Sequence, residues 1–153
     1  MIVRDTLAEN NMNIYLDING VLLTQDGRLA NHVHEFLSFV TSRYPTYWLS
    51  HNCRGDMKFT ENFLKKSFPP ELLPITSRVL PTNWVTHKTE AIDFSQPFLW
   101  FDDNLKEEDR KVLVNHDVLE NRIEVDLWND PDQLEKFLTH FPHPKESVHK
   151  KLP

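Results

Sequence analysis

The chain is poor in glycine, with 3 Gly in 153 residues. The phosphate-binding turns of P-loop and dinucleotide-binding folds are rich in glycine, so this scarcity argues against both classes. Cysteine is rarer still. The single Cys53 excludes an internal disulfide framework and fits a reducing compartment.

A long apolar run and an excess of positive charge are also absent. No stretch approaches the roughly 18 apolar residues of a membrane span, and no signal-peptide pattern precedes the first predicted strand. The net charge is −6 with eight His counted as neutral, which gives no global basic field for nucleic acid or a membrane surface. We therefore expect a cytoplasmic protein with no membrane partner, and the composition leaves its oligomeric state open.

What the chain does contain is an alternation of strand-like and helix-like segments. Strands are predicted at residues 13–17, 46–50, 98–101 and 123–128, with a short one at 78–80. Helices are predicted at 31–44, 58–66, 90–94, 105–116 and 131–140, with Asn31 and Asp130 as N-caps. The pattern predicts an α/β fold with a mainly parallel central sheet covered on both faces. A single domain spans 13–141, after a loose leader at 1–12 and before a disordered tail at 142–153.

The stretch of residues 13–23 is the most informative. Its apolar run ends in Asp17, which is followed by Asn19 and then by Gly20. An acid at the C-terminal end of a buried strand lies where open α/β sheets bind ligands, so Asp17 is a candidate nucleophile. The Asp-Gly pair in residues 24–27 predicts a tight hairpin beside it.

Polar residues follow four successive elements, and in a parallel sheet they converge on one edge. They are Asp17, Asn19, Ser50, Lys88, Asp102 and Asp103. Such a set suits phosphoryl transfer. Asp17 would attack phosphorus, Ser50 would donate a hydrogen bond to a phosphoryl oxygen, and Lys88 would supply positive charge. The carboxylates are hard ligands suited to Mg²⁺.

The order of these motifs resembles the haloacid dehalogenase superfamily over about residues 13–128. The resemblance implies a Rossmann-like three-layer sandwich in which Asp17 is the nucleophile and Ser50 and Lys88 bind phosphate, with the neighbouring His51 and Asn52 in the same loop. It also implies Mg²⁺ held by Asp17, Asp102, Asp103 and the backbone carbonyl of Asn19. The tract 97–104 further resembles small bacterial members associated with RNA-repair proteins.

One position departs from the family pattern. Its phosphatases carry a second Asp two residues after the nucleophile, as general acid and base, and here that position is Asn19. Such a proton-transfer step is typically worth 10²–10⁴-fold in rate, and an amide cannot supply it. His51 and His87 are candidate substitutes. A catalytically impaired protein that binds phosphate or a phosphorylated partner is therefore the alternative to a phosphatase.

Other features bear on the substrate. The segments after the first strand and at 69–88 are too short for the cap domain of larger members, so we expect an exposed site and a macromolecular phosphate ester. The sequence does not distinguish a protein phosphate, a nucleic-acid end and a metabolite. Of the four Trp, most are predicted core residues, including Trp128, while Trp84 is a candidate for stacking on a base or aromatic group. The charged run 106–111 is predicted to be a solvated helix face.

Overall fold

A computed structural model describes residues 11–145. Within this range the four strands form one parallel sheet in the order β2-β1-β3-β4, with bounds β1 (Asn13–Leu16), β2 (Thr46–Trp48), β3 (Phe98–Asp102) and β4 (Arg122–Glu124). Five α-helices accompany them: α1 (Val33–Arg43), α2 (Met57–Ser67), α3 (Leu73–Thr76), α4 (Glu107–Asn115) and α5 (Gln133–Thr139). Short 3-10 helices lie at Pro70–Leu72, Lys88–Ala91 and Leu119–Asn121. The predicted α/β class and the parallel sheet are confirmed, and the architecture is compatible with a Rossmann-like fold.

The strand order places a topological switch beside β1. The chain passes from β1 to β2 on one side, then returns to β3 on the other side of β1. Leu16 lies level with Trp48 and with Phe101, so three strands end at nearly the same height. A crevice between β1 and β3 is where such sheets bind ligands.

Side chains alternate across the strands and build a core on each face of the sheet. In β3, Leu99 and Phe101 join the larger core with α1 and α5, whereas Phe98 and Trp100 join the smaller core with Leu113 of α4. All four of these β3 residues are at most 1% exposed. Burial on both faces explains why strands of this kind read as continuous apolar runs.

The predicted starts of two helices are wrong by two residues. α1 begins after His32, which adopts a left-handed conformation at φ 65°, and not at an Asn31 cap. α5 begins after Asp132 and not at Asp130. The reason is a tertiary contact, since Asn31 Nδ2 donates to Asp132 Oδ1 at 3.0 Å and so links the two helix starts.

Three other predicted elements are shorter than expected. β4 ends at Glu124 and does not continue to residue 128, and the 90–94 helix is a 3-10 turn that begins at Lys88. The predicted strand at 78–80 reduces to Leu80, whose backbone exchanges hydrogen bonds of 2.8 Å with the β2 residues Thr46 and Trp48. The predicted hairpin at 24–27 is present, with Leu23 facing Leu29 across it.

The ends of the described range are attached to the domain. Residues 1–10 of the predicted leader and 146–153 of the predicted tail lie outside the described residues. Met12 is only 6% exposed and belongs to the larger core. The side chain of Asn121 exchanges two hydrogen bonds with the backbone of Lys145. Among the described helices, none has the length and apolar character needed to cross a bilayer.

Candidate active site

Two strand ends and one 3-10 turn place a lysine between two carboxylates. Asp17 directly follows β1 and Asp102 is the last residue of β3, so adjacent strands deliver both acids to the crevice. Lys88 Nζ lies 2.8 Å from Asp102 Oδ2 and 3.3 Å from Asp17 Oδ2. All three side chains are buried. The sequence prediction that these residues converge is therefore confirmed.

Backbone amides fix the other oxygen of each carboxylate. The Ile18 N–H donates to Asp17 Oδ1 at 2.8 Å, and the Asn104 N–H donates to Asp102 Oδ1 at 3.0 Å. Each acid thus has one oxygen held by its own loop and the other directed toward Lys88. These hydrogen bonds and the contacts with Lys88 hold the two carboxylates in place.

A third carboxylate completes a cluster that fits a divalent cation. Asp17, Asp102 and Asp103 can each offer one oxygen, and these oxygens lie within 4.8 Å of one another. Three carboxyl groups surround the single Lys88 ammonium, so when all three are ionised their charge exceeds that of the lysine by two. Oxygen ligands that carry an excess of negative charge suit Mg²⁺. Asn19 lines the same cleft.

Gly20 is required for the position of Asp103. A Cβ atom on Gly20 would lie 2.1 Å from Asp103 Oδ2, and the residue has φ +86°. Both observations exclude a side chain at this position without a shift of the carboxylate or of the backbone. Gly20 therefore adopts a backbone conformation that few other residues can and also makes room for a candidate metal ligand.

The electrostatics of the cluster reflect this crowding. Burial, together with repulsion from Asp102, raises the pKa of Asp17 to about 7 despite the opposing effect of Lys88. Burial and Asp102 likewise raise the pKa of Asp103. Burial disfavours the charge on Lys88, but Asp17 and Asp102 outweigh that effect and raise the pKa of Lys88. The Lys88 ammonium is therefore charged, and Asp17 and Asp103 hold their protons more tightly than free carboxyl groups do.

A buried acid on α4 holds the turn that presents Lys88. Asp109 Oδ1 accepts hydrogen bonds from the Thr89 amide at 3.0 Å and the Thr89 hydroxyl at 2.8 Å, and Asp109 is only 3% exposed. The prediction that 106–111 is a solvated helix face is thus wrong for this residue. Its spacing of four residues from the core residue Leu113 was a usable signal, because residues four apart share one helix face.

The predicted phosphate-binding residues that follow β2 do not all line the cleft. Ser50 is buried and its hydroxyl oxygen accepts the Asn52 N–H at 3.1 Å, which leaves the hydroxyl proton to be donated into the cleft. His51 lines the cleft, whereas Asn52 does not. His87 is the N-cap residue of the 3-10 helix at Lys88–Ala91, where its backbone N–H donates to Glu90 Oε2 at 3.0 Å, and it does not line the cleft. Burial, Lys88 and nearby Lys106 and Arg54 lower the pKa of His51.

The cleft has a volume of about 230 Å³. Besides the residues predicted from the sequence, it is lined by Trp84, Thr86, Asn104, Lys106 and Asp109. Trp84 is 4% exposed, and the guanidinium carbon of Arg54 lies 4.3 Å from the centre of its ring. Arg54 therefore occupies the aromatic face on which a base was predicted to stack.

No protein-family model matches the chain, and no curated protein is significantly similar to it. The function of the cleft must therefore be inferred from its own geometry.

Proposed function

We propose that the protein is a Mg²⁺-dependent phosphohydrolase of the haloacid dehalogenase type that forms an aspartyl-phosphate on Asp17. The observation that carries the proposal is the buried Asp17–Lys88–Asp102 cluster, with Asp103 and Ser50 in the same cleft. A carboxylate beside a lysine, a hydroxyl group and further acids is the set of groups that would support phosphoryl transfer to a carboxylate.

Each side chain would contribute in a defined way. Asp17 Oδ2 attacks phosphorus as the bond from phosphorus to the ester oxygen breaks, and the departing oxygen takes its proton from water. Asp17 Oδ1 is held by the Ile18 amide, which keeps the carboxylate oriented. Lys88 Nζ and the Ser50 hydroxyl stabilise the phosphoryl oxygens. A Mg²⁺ ion held by Asp17, Asp102, Asp103 and the Asn19 carbonyl would supply charge stabilisation for the phosphoryl group.

Proton transfer is the step for which the site is least equipped. Asn19 lines the cleft but cannot exchange a proton, and His87 does not line the cleft. A lowered pKa leaves His51 neutral at pH 7, so this ring suits a base that accepts a proton from water better than an acid. Hydrolysis of the aspartyl-phosphate is therefore the step that His51 would assist.

The first experiment measures phosphate release from a generic aryl phosphate with Mg²⁺ and with chelator. We expect metal-dependent release that Asp17→Asn reduces to background, while the exposed Asp93→Asn leaves it unchanged. Metal-dependent release by Asp17→Asn equal to that of the unaltered chain would exclude Asp17 as the nucleophile. Asn19→Asp should raise the rate by roughly 10²–10⁴-fold if only the proton carrier is limiting.

Asn19 also supports a second candidate function, that of a protein that binds a phosphorylated ligand without turning it over. Calorimetry with inorganic phosphate and Mg²⁺ separates the two. Binding without phosphate release, followed by release in Asn19→Asp, would favour the binding function.

A further inference from the structure

A second depression lies beside the cleft and is larger, with a volume of about 680 Å³. One wall is the loop and hairpin of residues 20–31, and the other is the loop of residues 124–131 that follows β4. We call this depression the groove. Asp103 lines both the groove and the cleft, so a molecule in the groove lies next to the candidate phosphoryl site.

The groove is acidic. Its charged lining residues are Asp26, Arg28, Asp103, Glu124 and Asp126. Arg28 Nε lies 3.0 Å from Asp26 Oδ2, so the cation among the lining residues already has a carboxylate partner. Asp103 belongs to the candidate metal site, and Glu124 Oε1 lies 3.6 Å from Arg122 Nη1. The carboxylates that would attract a cationic occupant are therefore Asp126, which no cation in the described part of the chain contacts, and the exposed Glu124.

Trp128 adds a large aromatic surface to the same wall. Its side chain is 90% exposed, the most of any large apolar residue in the described part of the chain. An exposed indole is typical of binding hot spots, and Trp is the best partner for a cation over an aromatic face. Indole and carboxylates together are complementary to an arginine or lysine side chain.

The cleft, unlike the groove, holds the groups proposed to bind a phosphate. Lys88 and Lys106 line the cleft, Arg54 packs on its Trp84 wall, and the candidate Mg²⁺ ligands lie beside Lys88. A ligand that fits both sides has an anionic group for the cleft and a cationic group for the groove. A nucleic acid carries phosphates along its whole length, and the acidic groove would repel those that follow the one in the cleft.

We propose that the groove docks an arginine- or lysine-containing segment of a polypeptide whose phosphorylated side chain enters the cleft. This inference rests on the proposed phosphatase function for the fate of the phosphoryl group, but docking in the groove does not depend on turnover. It names a phosphoprotein with basic residues next to the phosphorylated position as the substrate class.

Docking is tested by fluorescence anisotropy with chelator present, so that no turnover contributes. The probes are a labelled, unphosphorylated peptide with two Arg, its counterpart with two Glu, and a labelled oligonucleotide with a 5′-phosphate. We expect the Arg peptide to bind at least tenfold more tightly than either other probe, and to weaken as salt is raised. Trp128→Ala should weaken it by roughly threefold to thirtyfold, and Glu124→Gln by a smaller factor.

Matched controls lie on α2, away from the groove. Phe59→Ala removes another exposed aromatic side chain, and Glu61→Gln removes another exposed carboxylate, so both should leave peptide binding unchanged. Equal binding of the Arg and Glu peptides, tighter binding of the oligonucleotide, or indifference to Trp128→Ala would each overturn the proposal.

Turnover gives a separate readout. With Mg²⁺, the serine-phosphorylated Arg peptide should show at least a tenfold higher kcat/KM than the phosphorylated Glu peptide. Release from aryl phosphate with no preference between peptides would overturn docking and leave the phosphatase function standing. Binding of the Arg peptide with no phosphate release from any ester would leave docking standing and overturn the phosphatase function.

Discussion

Two tryptophans distinguish the two depressions at the C-terminal edge of the sheet. Trp84, in the wall of the cleft, is 4% exposed and is covered by Arg54, whereas Trp128, in the wall of the groove, is 90% exposed. The charged groups follow the same division. Lys88 and Asp102 of the cleft are buried and form an ion pair, while Glu124 of the groove is exposed and Asp126 is partly exposed.

The difference teaches how one edge can hold two kinds of site. Chemistry requires groups held in fixed positions, and burial with hydrogen bonds provides that. Recognition of a flexible partner can use exposed groups that become ordered only on contact. Each of the following predictions tests whether the two sides differ in this way.

The largest effect is expected from truncating the two tryptophans. Trp84→Ala should lower the free energy of unfolding by about 3–5 kcal/mol, because it removes a large buried side chain and leaves a cavity. Trp128→Ala should change it by less than about 0.5 kcal/mol, as is usual for exposed positions. Urea denaturation of both variants measures the two values. Similar losses would abolish the distinction between the two walls.

Two glycines give a matched pair for the candidate metal site. Gly20 and Gly27 have almost the same φ, +86° and +85°, so alanine should cost roughly 1–2 kcal/mol of backbone strain at either. Only at Gly20 would the new Cβ meet Asp103, since nothing lies within 4 Å of a Cβ at Gly27. Gly20→Ala should therefore weaken Mg²⁺ binding at least tenfold more than Gly27→Ala, as measured by thermal shift against Mg²⁺ concentration. Equal Mg²⁺ affinities would show that Asp103 does not contribute to the site.

The last comparison concerns the pH dependence of stability in the absence of Mg²⁺. The folded protein holds the proton of Asp17 more tightly than the unfolded chain, because the pKa is raised from 3.8 to about 7. The free energy of unfolding should therefore fall as pH rises across this interval, by at most about 1.4 kcal/mol per pH unit. Asp17→Asn should reduce that fall to the part due to Asp103, whose pKa is also raised, and chemical denaturation at several pH values measures the difference.

Asp126 supplies the comparison from the groove. Hydrogen bonds from Asn129 lower its pKa, so its contribution to stability is present at neutral pH and is lost as pH falls. Asp126→Asn should therefore leave the fall between pH 4 and 7 in place. A pH profile altered in the same way by both variants would mean that the two acids do not differ as described.

The parts of the fold that could be predicted are those set by local pattern. β3 reads as an apolar run because both of its faces are buried, and α2 was predicted within one residue at each end. Asp17, Ser50 and Asp102 could be placed because parallel strands align their C-terminal ends at one edge. Tertiary contacts decided what was missed, as where Asn31 binds Asp132 instead of capping α1.

Trp128 was predicted to be a core residue, and the reason for the error is specific. In a strand, residues two apart share a face, and Trp128 shares its phase with Glu124 and Asp126. That alternation already pointed away from the core, where Val125 and Leu127 are buried. Trp128 is thus an apolar side chain on the exposed face of this alternating segment.

The early end of β4 has a consequence for how such a protein can diverge. Had the strand continued to residue 128, its backbone hydrogen bonds would have constrained the groove wall as they constrain the cleft. Because the chain leaves the sheet after Glu124, the exposed positions of 125–131 and of the hairpin can accept substitutions with little effect on the strands that carry Asp17 and Asp102, while Val125 and Leu127 stay in the core. The residues that contact a partner can therefore differ between related proteins while the buried acids are retained.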